Sequence, residues 1–189
     1  MPRSTQSRPG APGPMHGALI AAIADRRARV AIIGQGYVGL PLAMAMCEGG
    51  FDVTGYDISE PTVAALNSGR SHIGDVSDQE LQAAIAAGRF RASATFDSLG
   101  QADVVSICVP TPLGKTRDPD ISYIVAATKE VAQRLRRGQL VVLESTTFPG
   151  TTEEVVLPVF QESGLQVGKD YFLCFSPERV DPGNPNFDS

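Results

Sequence analysis

Three glycines stand in the spacing GxGxxG, at Gly34, Gly36 and Gly39, directly after the apolar run Val30-Ala31-Ile32-Ile33. That pattern can bind a diphosphate. Gly34 permits a tight turn from strand to helix. Gly36 lets the backbone approach a phosphate with no Cβ in the way, and Gly39 lets the helix pack close to the strand. The first amides of such a helix have no partner within it and lie at the positive end of its dipole, so they suit an anion. Asp57 closes the following apolar run, Phe51-Asp52-Val53-Thr54-Gly55-Tyr56-Asp57, at the distance where a ribose-binding acid falls. A carboxylate there accepts from both ribose hydroxyls and repels a 2′-phosphate, and Ile58, Ser59 and Glu60 supply no cation to hold one. NAD, not NADP, is therefore the expected cofactor. The plainer alternative is a glycine turn that binds nothing, with Asp57 capping a helix. Strand, glycines, helix and acid in register favour the dinucleotide.

These residues need a sheet with helices to hold them. From Arg29 onward the chain alternates between short apolar runs and helical patterns. Helices are expected over Val38 to Cys47, over the segment with Pro61 in its first turn and Gly69 at its stop, from the cap at Ser77 to Gly88, and over 121–137. One more, over 151–164, is interrupted near Pro158. Strands are expected at 30–33, 51–57, 91–96, 103–109, 139–145 and 171–177. Continuous apolar strands between helices imply an α/β fold: Rossmann-like and doubly wound, a mainly parallel sheet with helices on both faces. Before it, residues 1–15 are dense in Pro, Gly, Ser and Arg and read as a disordered tail. The segment 17–29 reads as a short packing helix with Leu19, Ile20 and Ile23 on one face. Residues 16–189 then form one domain.

In such sheets ligands bind beyond the carboxyl ends of the strands. Val109-Pro110-Thr111-Pro112, Ser145-Thr146-Thr147 and Ser176-Pro177-Glu178-Arg179 follow three of the expected strands. Turn and capping chemistry explains Thr111, Ser145 and Thr146 as well as a site does, and Glu178 by itself reads as a surface acid. His72 has no partner for catalysis and reads as a loop residue. Arg134, Arg136 and Arg137 read as a solvated helix end.

The chain has 189 residues, 42% of them hydrophobic and 20% charged, with a formal net charge of −5. This is globular composition, and an acidic chain is a poor nucleic-acid binder. No apolar run is long enough to cross a membrane. Cys47, Cys108 and Cys174 lack metal-ligand spacing and read as buried, reduced thiols of a cytoplasmic protein, so no metal is expected.

Taken together, GQGYVGLPLA at 34–43, Asp57, VPTP at 109–112, ESTTFPGTT at 144–152 and SPERVDPGN at 176–184 resemble the UDP-glucose/GDP-mannose dehydrogenase family. The last segment is most similar to the UDP-N-acetylhexosamine 6-dehydrogenases. The resemblance covers about residues 29–187. It implies an NAD-dependent oxidation of the primary alcohol of a UDP-sugar to the uronic acid, through a thioester on a cysteine. It places Tyr37 and Val38 on the pyrophosphate, Asp57 on the adenosine ribose, and Pro110 and Thr111 along the NAD site. It also places Ser145 there, with Thr146 on the cofactor and a water near the reaction centre. Glu178 becomes the acid that supports thioester hydrolysis. Thr62 stands where the family often has a basic residue. The 6-phosphogluconate and 3-hydroxyacid type of dehydrogenase shares a similar first half, but the segments at 145–152 and 177–183 argue against it. The family's helical dimer region and cysteine-bearing domain find no counterpart here. The chain alone is thus expected to be a truncated cofactor domain that does not complete the oxidation, or a non-catalytic NAD module.

Overall fold

A computed structural model describes residues 14–112 and 119–177. Its centre is a six-stranded sheet of β1 (Arg29–Ile33), β2 (Asp52–Tyr56), β3 (Phe90–Ser93), β4 (Val104–Ile107), β5 (Leu140–Leu143) and β6 (Phe172–Phe175). The order across it is β3-β2-β1-β4-β5-β6, with every neighbouring pair parallel. This is the doubly wound order, with its switch point between β1 and β4. Both faces of β1 are buried. Val30 and Ile32 join a core with Leu40, Met44, Leu66 and Leu81. Ala31 and Ile33 join a second core with Ile124, Val131, Val156 and Phe160. The first core is built by α2 (Gly39–Glu48), α3 (Glu60–Asn67) and α4 (Asp78–Ala86), the second by α5 (Ser122–Ala132) and α6 (Leu157–Gln161).

The starts of two helices are legible in their caps. Ser59 accepts from the Thr62 amide at 3.3 Å, with Pro61 in the first turn, and Ser77 accepts from the Glu80 amide at 3.2 Å. Pro158 does not break its helix. The turn before it, Thr152–Val156, widens to π geometry, and the helix runs on as α6. A widened turn absorbs the missing Pro158 N–H.

Several expectations need correction. The helix expected over 121–137 ends at Ala132, so Arg134, Arg136 and Arg137 lie in the turn towards β5. Arg136 is not a solvated cation. It donates to the carbonyls of Gly100 and Ala102, each at 2.8 Å, and to Asp103 at 2.6 Å. Arg134 pairs with Glu130, and Arg137 with the buried Asp170. Cys47 and Cys108 are buried, but Cys174 is exposed, because it lies on β6 at the sheet's edge. Burial pushes the Cys47 thiol up to about 12, so it stays protonated and inert. The first helix, α1 (Pro14–Ala24), buries Leu19 but leaves Ile20 exposed. The expected tail, apart from Pro14 and Met15, lies outside the described residues. Among the described residues no helix is long and apolar enough to cross a membrane, and no group of side chains could hold a metal.

The amino ends of β1 and β4 are fastened by Asp103. It accepts from the Arg29 amide at 2.9 Å and from Arg136 at 2.6 Å. Burial alone would raise its pKa, but the Arg29 amide and the Arg136 guanidinium outweigh burial and hold it below the usual carboxylate range. The ionised form is therefore the one the fold favours. Its contribution is present above an unfolded pKa of about 3.9 and is lost as the pH falls through the lower folded value. Asp103→Asn should cost about 1–3 kcal/mol near neutral pH and flatten the acid limb of the stability curve. Urea midpoints measured at neutral and acid pH test both effects; equal midpoints for the two proteins at neutral pH would refute the assignment.

Candidate cofactor site

The parallel register sets the site. Ile33 pairs with Tyr56 and with Ile107, and Ile107 pairs with Leu143. The next residue of each strand is therefore Gly34, Asp57, Cys108 or Glu144, aligned along one edge. The ladder continues through them: the Gly34 amide donates to the Tyr56 carbonyl at 2.7 Å, and the Cys108 amide to the Ile33 carbonyl at 2.8 Å. Over this edge opens a cleft of about 530 Å³.

The glycine turn forms its floor. Gly34 has φ +91°, and a Cβ there would lie 2.6 Å from the Cys108 carbonyl oxygen, so only glycine fits. Among the described residues nothing lies within 4 Å of where a Cβ on Gly36 would stand. That space belongs to the cleft. The amides of Gly36, Tyr37 and Val38 donate to no protein group among the described residues, and the entrance to α2 has no side-chain cap. Three amides at a helix start, facing a space that any side chain would fill, suit a diphosphate. Gly39 does not line the cleft. A Cβ on it would fall on the Gly34 carbonyl oxygen, so it lets α2 close against the turn.

Asp57 is half-buried at the end of β2. Its Oδ2 accepts from the Gln35 amide at 3.0 Å and its Oδ1 from the Ser59 amide at 2.9 Å. A carboxylate has about four acceptor positions, so two bonds fix it and still leave room for a diol. Beside it Tyr56 stacks on Phe96, centroids 5.3 Å apart and 11° from parallel, giving the cleft a flat apolar wall.

Pro110 and Thr111 line the far half of the cleft, with Ser145 and Thr146. Ser145 is buried and turns its hydroxyl to the Ile107 carbonyl at 3.3 Å, whereas Thr146 is exposed. Glu178 lies outside the described residues. His72 is exposed and away from the cleft. Sequence reasoning missed four residues here. Tyr56 and Phe96 form the stacked wall, and Tyr123 faces the cleft from α5. Glu144 falls inside the strand expected at 139–145; the register makes it the first residue past β5. It is half-buried on the cleft wall, with the Cys108 thiol 3.8 Å from Oε2.

Residues 28–189 match the UDP-glucose/GDP-mannose dehydrogenase family, NAD binding domain. The chain is 40% identical over 156 residues to UDP-N-acetyl-D-mannosamine dehydrogenase of Pyrococcus horikoshii, covering 82% of this chain and 37% of that protein. It is 37% identical over 159 residues to UDP-N-acetyl-D-glucosamine 6-dehydrogenase of Pseudomonas aeruginosa, covering 82% and 36%. The crystal structure of a ternary complex of GDP-mannose dehydrogenase from Pseudomonas aeruginosa superposes with a TM-score of 0.78 at 32% identity, over 82% of this chain and 37% of that one. This chain thus spans a little over a third of the length of these relatives.

Proposed function

We propose, from the premise that the chain belongs to the UDP-glucose/GDP-mannose dehydrogenase family and carries its NAD-binding domain, that the cleft holds NAD for oxidation of a UDP-N-acetylhexosamine to its uronic acid. The sugar class is taken from the names of the relatives. NAD, when bound, accepts hydride from the alcohol carbon. The chain's own residues bind and orient it. The free amides of Gly36, Tyr37 and Val38 take the pyrophosphate. Gly34 and Gly39 shape the turn that aims them. Asp57 takes the hydroxyls of the adenosine ribose, and the Tyr56–Phe96 wall offers an apolar surface for adenine. Pro110, Thr111 and Ser145 flank the nicotinamide half, where the exposed Thr146 hydroxyl can hold a water. Glu178 is assigned the general base by its place in the SPER motif. A cytoplasmic location belongs to the same reading; three cysteines far apart in the sequence, with no CxxC spacing, are consistent with it. The −5 charge is consistent with the expectation that no nucleic acid is bound.

The observation that carries the cofactor assignment is the pairing of three unbonded helix-start amides with a fixed carboxylate at the next strand. Asp57→Ala should weaken NAD by about tenfold or more, since hydrogen bonds to a charged group contribute about 1.5–3 kcal/mol. It should also shrink the margin between NAD and NADP. Titration calorimetry with each dinucleotide decides it. Equal affinity of the parent chain for NAD and NADP would overturn the role given to Asp57. Following absorbance near 340 nm with NAD and UDP-N-acetylglucosamine tests whether this chain by itself turns over.

A further inference from the structure

Gln35 stands between the first two glycines of the turn, yet it is fully buried. Its side chain runs back beneath the turn. Nε2 donates to the Ile32 carbonyl at 2.9 Å and to the Gly34 carbonyl at 3.3 Å. Oε1 has no hydrogen-bond partner among the described residues. This fixes the amide's sense, because the reverse orientation would set its oxygen against two carbonyl oxygens. The room for it comes from β2: a Cβ on Gly55 would fall on the Gln35 amide. The backbone amide of the same residue donates to Asp57 Oδ2. One residue therefore ties the end of β1, the Gly34 carbonyl and the ribose acid together. A buried amide oxygen without a partner costs stability, and a leucine or methionine of similar size would avoid that cost. What an apolar side chain cannot supply is the pair of donors.

We propose that Gln35 is a positioning residue for the cofactor: its side-chain amide holds the glycine turn in the shape that presents the Gly36–Val38 amides, with Gly55 as its required complement. The inference rests on the NAD reading of the turn. If the parent chain bound no NAD, that reading would fail first. If the parent binds and the variants below behave like it, only the role of Gln35 fails.

Gln35→Leu keeps the bulk and removes both donors. Its Kd for NAD should rise by about tenfold, with the far-UV circular dichroism unchanged. Gln35→Glu gives a signature that space-filling would not. Only the protonated carboxyl can donate to a carbonyl oxygen, and burial raises its pKa. NAD binding by this variant should be strongest at about pH 5.5 and fall as the pH rises towards about 8.5, whereas the parent stays flat. Asp57, the titratable group in hydrogen-bond contact with residue 35, is present in both proteins and cancels in the comparison. Gly55→Ala should lower the melting temperature of the parent chain and be tolerated in a Gln35→Ala background. A Gln35→Leu affinity within about twofold of the parent would overturn the proposal. So would a flat profile for Gln35→Glu, or a Gly55→Ala effect as large without Gln35 as with it. If Gln35→Glu does not fold, the other two variants decide.

Discussion

Gly36→Val abolishes NAD binding while the chain remains folded: that is the expected result of calorimetry and thermal melting on the variant. The two halves of the expectation have separate causes. Nothing among the described residues lies within 4 Å of a Cβ at this position, and its backbone has no positive φ, so a valine meets no steric barrier there. The change in folding stability should stay within about 1 kcal/mol. The space that makes it harmless to the fold is the one the diphosphate needs. An isopropyl group there stands between the phosphates and the amides of Gly36, Tyr37 and Val38. Loss of those charge-assisted bonds, at roughly 1.5–3 kcal/mol each, predicts at least a hundredfold loss of affinity. A variant that bound NAD like the parent would remove the diphosphate from this turn.

Gly39→Ala should behave in the opposite way, failing as a fold before it fails as a site. Helix propensity argues for alanine by about 1 kcal/mol at a helical glycine. Sterics argue against it much more strongly. The new methyl group would fall on the Gly34 carbonyl oxygen and lie 3.3 Å from the Cys108 Cβ. Both are held in the ladder between β1, β2 and β4 and cannot withdraw. Helix α2 would have to lift, and it carries Leu40, Ala43, Met44 and Cys47 into the first core. Overpacking at such a rigid contact costs about 1–3 kcal/mol, and more where a whole helix must shift. The melting temperature should drop by several degrees at least, or the chain should not fold. An unchanged or raised melting temperature would show that the turn yields where it is here described as fixed.

The glycine turn and Asp57 were legible in the sequence because each is a backbone requirement with a residue type to match. Gly34 needs a positive φ, Gly39 needs contact with a carbonyl, and an acid must close β2. The strand-and-helix alternation was equally plain, because parallel strands buried on both faces read as unbroken apolar runs. What the sequence hid depends on contacts between distant segments. Arg136 looked like one of three cations at a helix end, since nothing local announces that Asp103 and two carbonyls wait for it across the sheet. Cys174 sits in an apolar run like any core cysteine, and only the order of strands places it on an edge. Gln35 stands between two glycines with nothing local to mark it. Its meaning appears once Gly55, twenty positions away in β2, lies directly against it.

The fastening at Asp103 and the cleft occupy opposite rims of the same strands. Arg29, Asp103 and Arg136 lock the rim where β1 and β4 begin, and Gly34, Asp57, Cys108 and Glu144 crowd the rim where β1, β2, β4 and β5 finish. A division of labour follows. On the proposed cofactor reading, substitutions at one border would alter coenzyme preference residue by residue, while the clasp at the other border keeps the scaffold folded.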